Sequence, residues 1–189
     1  NFMEGFTNDH DGQYFDKEIL PPLKNISFLD GGGYVGDTAT QIIKNYPDFK
    51  KIWLIEPILE NIRIAKRELI EYENIEFFTC GISNKKETLY FNEEKSFSTI
   101  YGKGTQSVEV DTIDNIVKEK VDFIKLDIEG AEQDAIDGAK ETIKKYKPIL
   151  AICIYHKAED WYKIPQKLFA IEKGYKLYLR HYMEGIFES

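Results

Sequence analysis

The stretch whose residues are best suited to binding a ligand runs from Asp30 to Thr38 and reads DGGGYVGDT. The apolar residues 26–29 before it are typical of a short buried strand, and residues 38–43 after it are typical of a helix. Glycines permit a tight turn and a close ligand approach, and free N–H groups at a helix start favour a hydrogen-bond acceptor. The glycines also match the GxGxxG spacing, which is weak evidence when it stands alone. The stretch therefore predicts a nucleotide-like ligand at a strand–turn–helix junction.

The acidic residue that opens this stretch narrows the choice of ligand. A carboxylate from Asp30 at the tip of a strand would repel a pyrophosphate but attract a cationic group. S-adenosylmethionine has no phosphate and carries a sulfonium and an ammonium group. The charge of Asp30 therefore favours a methyl donor over a nicotinamide dinucleotide.

A second acidic residue follows the next predicted strand. Glu56 stands twenty positions after Gly36, directly before Pro57. An acidic side chain at this place can accept hydrogen bonds from both ribose hydroxyls of a bound nucleoside. The alternative is a solvated glutamate in a turn. Both S-adenosylmethionine and NAD carry that ribose, so Glu56 does not distinguish between them.

Further titratable residues follow the later strands. Asp127, Glu129 and Glu132 fall within six positions and could bind a metal, hold a proton or cap the next helix. Asp127, at the strand tip, is the best candidate to face a ligand. His156 follows the next strand, and an imidazole with an ordinary pKa of about 6.5 could accept a proton from an acceptor hydroxyl. Three scattered histidines without a Cys-x-x-Cys pair give no zinc signature, so we expect no metal ligands, with metal assistance by Asp127 and Glu129 as the lesser alternative.

The elements that must position these residues alternate between strand and helix. Predicted strands cover residues 26–29, 51–56, 75–80, 88–91, 121–127, 149–154 and 174–180, and predicted helices cover 37–46, 58–72, 131–146 and 160–173, with a further helix starting at 111–114. Such alternation predicts an α/β, doubly wound, mostly parallel sheet, with the apolar strand 149–154 in a central position. The strands' carboxyl ends then bring Asp30, Glu56, Asp127 and His156 to one edge.

The bulk properties limit the function classes. The chain has 189 residues, enough for a single domain at 26–189 behind an N-terminal arm at 1–25. A formal charge of −8 argues against nucleic-acid and anionic-membrane partners. Two cysteines in apolar segments suit a reducing compartment, and no apolar leader or spanning segment is present, so we expect a cytoplasmic protein. The aromatic arm could cover a partner subunit in a homo-oligomer.

Several motifs together resemble the FkbM-type S-adenosylmethionine-dependent methyltransferases. They are the glycine stretch 30–38, Glu56-Pro57, VDTID at 110–114, FIKLDIEGAE at 123–132 and YHK at 155–157. The resemblance implies a class I methyltransferase fold, Rossmann-like, with a seven-stranded sheet that has one antiparallel strand. It also implies O-methylation of a hydroxyl on a sugar or other small metabolite, with S-adenosylhomocysteine as a product.

The resemblance also implies roles for individual residues. The cofactor site would include Asp30, Gly31, Gly32, Gly33, Tyr34, Gly36, Asp37, Thr38, Glu56, Pro57, Gly81, Ser83 and Asp127. Within this set the glycine stretch would hold the methionine end, Glu56 the ribose and residues 81–83 the adenine. The catalytic candidates are His156, Asp127 and Glu129, any of which could act as the base.

The residues leave two other functions open. A nicotinamide-dependent oxidoreductase would share the glycine turn and Glu56. A non-catalytic cofactor-binding module of a larger protein would share the whole cofactor site. In each case residues 83–107, with Phe97, Tyr101 and Gln106, and Tyr14-Phe15 of the arm are expected to shape the acceptor pocket.

Overall fold

The computed structural model describes residues 13–91 and 106–181. The strands are β1 (Ser27–Gly31), β2 (Lys51–Ile55), β3 (Ile75–Phe78), β4 (Gly81–Ile82), β5 (Glu87–Phe91), β6 (Gln106–Asp111), β7 (Phe123–Leu126) and β8 (Ile149–Ile152). The helices are α1 (Asp37–Asn45), α2 (Leu59–Glu68), α3 (Ile113–Ile116), α4 (Glu132–Asp137), α5 (Lys140–Tyr146) and α6 (Asp160–Ile171).

Five strands form a parallel sheet in the order β3-β2-β1-β7-β8. β1 lies at its centre and is buried along its whole length, with Asp30 opposite Leu54 of β2 and Lys125 of β7. The chain winds outwards from β1 in one direction to β2 and β3, and in the other to β7 and β8. Such a reversal opens a crevice beyond the carboxyl ends of the strands. The α/β class with a mostly parallel sheet is confirmed.

The remaining strands form a separate three-stranded sheet in the order β4-β6-β5. β5 runs antiparallel to β6 and supplies the expected reversed strand. The strand predicted at 75–80 is interrupted after Phe78, and Gly81–Ile82 pairs with β6 instead. Over the described residues the strands are therefore divided between two sheets and do not form one seven-stranded sheet.

The helix predicted over 131–146 is broken into α4 and α5. A side chain at Gly138 would place its Cβ 2.1 Å from the carbonyl oxygen of Ser83, so only glycine fits there. After the break, the backbone N–H groups of Glu141 and Thr142 donate to the carboxylate of Asp114, over 3.1 and 2.8 Å. A carboxylate on a distant element therefore caps α5, which local helix periodicity does not reveal.

Two predictions about the later strands were wrong. β8 lies at the edge of the parallel sheet in the part of the chain that the structure describes, and its residues are half-buried. Residues 175–181 contain no strand, and of these only Tyr175 is not exposed. Its hydroxyl donates to the carbonyl oxygen of Pro148 over 2.9 Å. A strand gains stability from a buried face, and of this segment only Tyr175 packs against the core.

The core lies on both faces of the parallel sheet. Alternate residues of each strand point to opposite faces, so that Leu29, Trp53 and Ile124 join one buried cluster while Phe28 and Leu54 join the other. Among residues 13–91 and 106–181, no helix has both the length and the apolar character required to cross a membrane.

The arm contributes to the core. Phe15 is buried, and its ring centre lies 6.2 Å from that of Phe28 and 6.0 Å from that of Phe123. Residues 1–12 fall outside the described part of the chain. The described end of the arm therefore packs against β1 and β7 and is continuous with the domain.

Candidate active site

The glycine stretch forms a tight turn between β1 and α1. The backbone N–H groups of Gly32 and Gly33 both donate to the carbonyl oxygen of Ile55 over 3.0 Å. Gly32 has φ +74°, and a Cβ there would lie 1.9 Å from the carbonyl oxygen of Asp127. Gly36, also at positive φ, precedes the first residue of α1. The turn therefore packs closely against the ends of β2 and β7.

The remaining predicted residues of this stretch are placed around the turn. Tyr34 is exposed, with φ +43°. Asp37 and Thr38 begin α1, and the side chain of Thr38 is buried. The N-terminal backbone of α1 therefore follows the turn at the crevice, as the sequence predicts.

Asp30 is fully buried and is paired with a lysine. The ammonium nitrogen of Lys125, itself 3% exposed, lies 3.2 Å from Oδ1 of Asp30 and donates to the carbonyl oxygen of Gly32 over 2.7 Å. Burial lowers the pKa of Lys125, but Asp30 and Asp127 outweigh it and raise the pKa above its ordinary value. Asp30 therefore has a cationic partner within the chain, which sequence reasoning missed. The signal was a lysine inside the apolar strand FIKL.

Glu56 lies at the end of β2 beside the glycine turn. Oε2 accepts from the backbone N–H of Tyr34 over 3.2 Å. Oε1 accepts from the backbone N–H of Ile58 over 3.0 Å and from the side chain of Asn61 over 3.2 Å. Glu56 thus joins the glycine turn to the start of α2, which follows Pro57 in the chain. Glu56 stands where a carboxylate that binds the ribose is expected, and it also holds the glycine turn in place.

The segment predicted to line the adenine lies next to the same turn. A Cβ at Gly31 would meet the side chain of Ile82 at 2.8 Å, so Gly81 and Ser83 flank a residue that packs on the glycine turn. The backbone N–H of Ser83 donates to the carbonyl oxygen of Asp111 over 2.9 Å. Phe97 and Tyr101, predicted to shape the acceptor pocket, lie outside the described residues.

Asp127 connects the glycine turn to the other two catalytic candidates, His156 and Glu129. Its backbone N–H donates to the carbonyl oxygen of Gly31 over 3.1 Å. The hydroxyl of Tyr14 donates to Oδ2 and that of Tyr155 donates to Oδ1, both over 3.0 Å. Burial, together with Asp127, raises the pKa of both phenols, so they remain donors. The arm therefore supplies one of the groups that orient this carboxylate.

His156 lies within a group of carboxylates. Its Nε2 is 3.6 Å from Oδ1 of Asp127 and 3.5 Å from Oε2 of Glu129, and its Nδ1 is 3.2 Å from Oε1 of Glu132. The structure thus brings together all three catalytic candidates. Glu132, for which the sequence left metal binding, proton transfer and helix capping open, is the buried fourth member.

The local backbone explains how these acids face one ring. Glu129 has φ +55° and Gly130 has φ +92°, a left-handed pair that reverses the chain after β7. The ammonium group of Lys157 donates to the carbonyl oxygen of Gly130 and closes this turn against the residues after β8. A non-glycine residue at positive φ is uncommon and often marks a functional site.

The same group has the chemistry of a cation site. Among the described residues, Asp127, Glu132 and His156 bring potential ligand atoms within 4.8 Å of one another. The imidazole stands between the two carboxylates, where a proton on the ring would offset part of their charge. We therefore treat the group as a histidine held between carboxylates, and the absence of a metal stays a prediction.

A comparison with known protein families assigns the chain to one of them. The sequence profile described as the methyltransferase FkbM domain matches residues 30–177. The chain belongs to the FkbM methyltransferase family. The match spans the glycine turn, Glu56, Asp127 and His156 of the candidate site, while Tyr14 lies before it. No curated protein matches the chain in sequence.

Two solved structures share the fold, and one of them is an FkbM methyltransferase. The FkbM methyltransferase of Methylobacillus flagellatus KT is similar, with a TM-score of 0.78 and 26% identity over 92% of this chain and 44% of that chain. The precorrin-6y C5,15-methyltransferase of Geobacter metallireducens GS-15 shares the fold, with a TM-score of 0.51 and 10% identity over 80% of this chain and 64% of that chain. The chain therefore spans less than two thirds of either protein's length.

Proposed function

We propose that this FkbM domain is an S-adenosylmethionine-dependent O-methyltransferase that acts on a hydroxyl of a sugar or other small metabolite. The observation that carries the proposal is the attachment of Asp127 to the glycine turn, through the 3.1 Å hydrogen bond to Gly31. This contact puts the group of His156, Asp127 and Glu129 beside the place where a nucleoside-bearing ligand is expected.

The placement of the residues supports the proposed cofactor roles. We propose that the turn 31–36 receives the methionine end, Glu56 the ribose hydroxyls, and residues 81–83 the adenine. S-adenosylmethionine needs no phosphate site, which suits an edge that carries Asp37, Glu56, Asp127 and Glu129. When bound, it would supply an activated methyl group, while the chain would bind and orient both reactants.

The chain's own contribution is alignment and proton transfer. Aligning the acceptor oxygen with the methyl carbon would supply most of the rate, since alignment of reactants can be worth roughly 7–11 kcal/mol. Removing the acceptor's proton would add roughly 10²–10⁴-fold. Glu129, 64% exposed, and Asp127, 23% exposed, are the members of the group that face outwards. We propose that they take the hydroxyl proton, with His156 behind them.

Calorimetric titration with S-adenosylhomocysteine, and in parallel with NADH, tests the proposed cofactor. We expect micromolar binding of S-adenosylhomocysteine alone, abolished by Glu56→Ala. Glu68→Ala, which removes an exposed carboxylate from the far end of α2, the helix that Glu56 contacts through Asn61, is the matched control and should bind normally. Binding of NADH alone would instead support the oxidoreductase.

Methyl transfer is tested separately from binding. Labelled S-adenosylmethionine is incubated with a panel of hydroxylated sugars and small metabolites, and product methylation is followed by mass spectrometry. Transfer to an oxygen of one of them would support the proposal. Tight donor binding without transfer to any hydroxyl would favour a cofactor-binding module.

A further inference from the structure

Glu132 is a buried carboxylate that its own turn holds rigidly. It begins α4, its side chain is fully buried, and its Oε1 accepts from the backbone N–H groups of Ile128 and Gly130 over 2.9 and 3.4 Å. These backbone donors fix the carboxylate against the turn that follows β7. Because a buried carboxylate is costly without compensation, a nearby cation or proton donor is expected.

The imidazole of His156 provides that compensation. Nδ1 lies 3.2 Å from the fixed Oε1 of Glu132, whereas Nε2 faces the two outer carboxylates of Asp127 and Glu129 at 3.6 and 3.5 Å. The histidine side chain is 8% exposed, and both ring nitrogens are buried without a completed hydrogen bond. The two ring nitrogens therefore have unequal surroundings. Nδ1 meets the fixed inner carboxylate of Glu132, whereas Nε2 meets Asp127 and Glu129, the carboxylates proposed to take the acceptor's proton.

We propose that Glu132 is a positioning residue that keeps a proton on Nδ1 of His156, so that Nε2 receives the proton released by the acceptor. This inference rests on the proposed function. The acceptor O–H bond breaks, and its proton passes through the carboxylate of Asp127 or Glu129 to Nε2. The acceptor oxygen bonds to the methyl carbon while the S–CH₃ bond breaks, and its electron pair stays on sulfur as S-adenosylhomocysteine. Glu132 stabilises the resulting imidazolium.

The surrounding charges favour this direction of proton transfer. The titratable groups near the ring are Asp127, Glu129 and Glu132 from the segment after β7, Tyr155 and Lys157 beside it, and Tyr14, Lys125 and Cys153 around Asp127. Burial lowers the pKa of the imidazole, but Glu132, Asp127 and Glu129 outweigh it and raise the pKa above the ordinary value. A raised pKa makes neutral His156 a stronger proton acceptor.

The tautomer of His156 tests the proposal without any substitution. In ¹⁵N-labelled full chain, long-range ¹H–¹⁵N NMR distinguishes the protonated ring nitrogen from the unprotonated one. We expect neutral His156 to carry its proton on Nδ1, with signals assigned from the spectrum of His156→Asn. A neutral ring protonated on Nε2 would overturn the proposal.

Removal of the negative charge of Glu132 is the second test. Glu132→Gln keeps an acceptor oxygen for the backbone but loses the charge, and should lower the midpoint of His156 titration by about one pH unit or more. Asp134→Asn, a carboxylate change on the same helix that contacts Asn84 instead, should leave the midpoint unchanged. An unchanged midpoint in Glu132→Gln would refute the role of Glu132.

A binding measurement separates this inference from the proposed function. Both variants should bind S-adenosylhomocysteine as the parent does, because Glu132 is not placed in the cofactor site. Failure of the parent itself to bind would reject the proposed function, whatever the tautomer. If Glu132→Gln does not fold, the tautomer of the parent alone decides the inference.

Discussion

Lys125 contributes one charge to two parts of the candidate site. Its ammonium group compensates the buried Asp30 and holds the carbonyl group of Gly32 in the glycine turn. It also lies 5.4 Å from the ring centre of Tyr14, which in turn orients Asp127. Because Lys125 compensates its charge, the Asp30 carboxylate does not present an unpaired charge to a ligand. The proposed preference for a cationic donor would therefore depend on the outer acids Asp37, Glu56, Asp127 and Glu129.

Lys125→Met should destabilise the domain strongly, because it leaves Asp30 buried without its cation. We expect a loss of about 3–5 kcal/mol in the free energy of unfolding, measured by urea denaturation. The double variant Asp30→Leu/Lys125→Met removes both charges and should recover much of that loss. A single variant as stable as the parent would show that the pair is not needed.

At the scale of elements, close backbone contacts decide where α4 ends and α5 begins. Gly138 lies against the carbonyl group of Ser83, and Asp114 caps the new helix start. This junction packs the residue that follows β4, in the three-stranded sheet, against the break between α4 and α5. The break in the helix is therefore part of how residues 81–83 reach the candidate cofactor site.

Gly138→Ala should cost about 1–3 kcal/mol of stability, because the added Cβ meets backbone that must shift. Gly174→Ala is the matched control, since its Cβ meets only the flexible carboxylate end of Glu172. Thermal and urea unfolding of both variants measure the difference. Equal stability of the two variants would contradict the proposed steric reason for the helix break.

A pH-dependent ion pair joins α4 to α6. Burial raises the pKa of Asp137, but hydrogen bonds and charge from Lys167 and Lys140 outweigh it and lower the pKa below its ordinary value. A lowered folded-state pKa contributes stability above the unfolded-state value of about 3.9, and that stability is lost as pH falls through the folded-state pKa.

Asp137→Asn should therefore cost up to about 1 kcal/mol at pH 7, a modest amount because the pair is partly exposed. The difference from the parent, measured by urea unfolding, should shrink as pH falls below about 4. Lys167→Met tests the same pair from the other side. A pH-independent difference would assign the effect of Asp137→Asn to something other than its charge.

At the scale of the whole molecule, the arm and the FkbM domain form one packed unit over the described residues. Phe15 enters the core between β1 and β7, and the neighbouring Tyr14 reaches Asp127. The candidate site is thus assembled from the arm, both halves of the parallel sheet and the segment after β8.

Phe15→Ala should reduce stability by about 3–5 kcal/mol, as expected for a buried aromatic side chain. Leu177→Ala, at a side chain that is 60% exposed, should change stability by less than about 0.5 kcal/mol. Calorimetric unfolding measures both. If Phe15→Ala were as stable as the parent, the arm would be an independent attachment and not a part of the core.

The sequence by itself determined the alternating strands and helices of the parallel sheet, the glycine turn and the edge at which Asp127 and His156 meet. These features depend on local periodicity, on turn residues and on the rule that parallel strands place their carboxyl ends together. The family was also recognisable from the same local motifs. The sequence did not predict β6, and its strand at 174–180 was wrong.

Only the tertiary structure decided which charges are paired and which strands share a sheet. Asp30 and Lys125 are distant in sequence, as are Glu132 and His156, and a contact between distant residues leaves no periodic signal. The break at Gly138 and the separate sheet of β4, β5 and β6 likewise depend on backbone contacts across the fold. Local patterns specify each element's own conformation, whereas partner choice depends on packing in three dimensions.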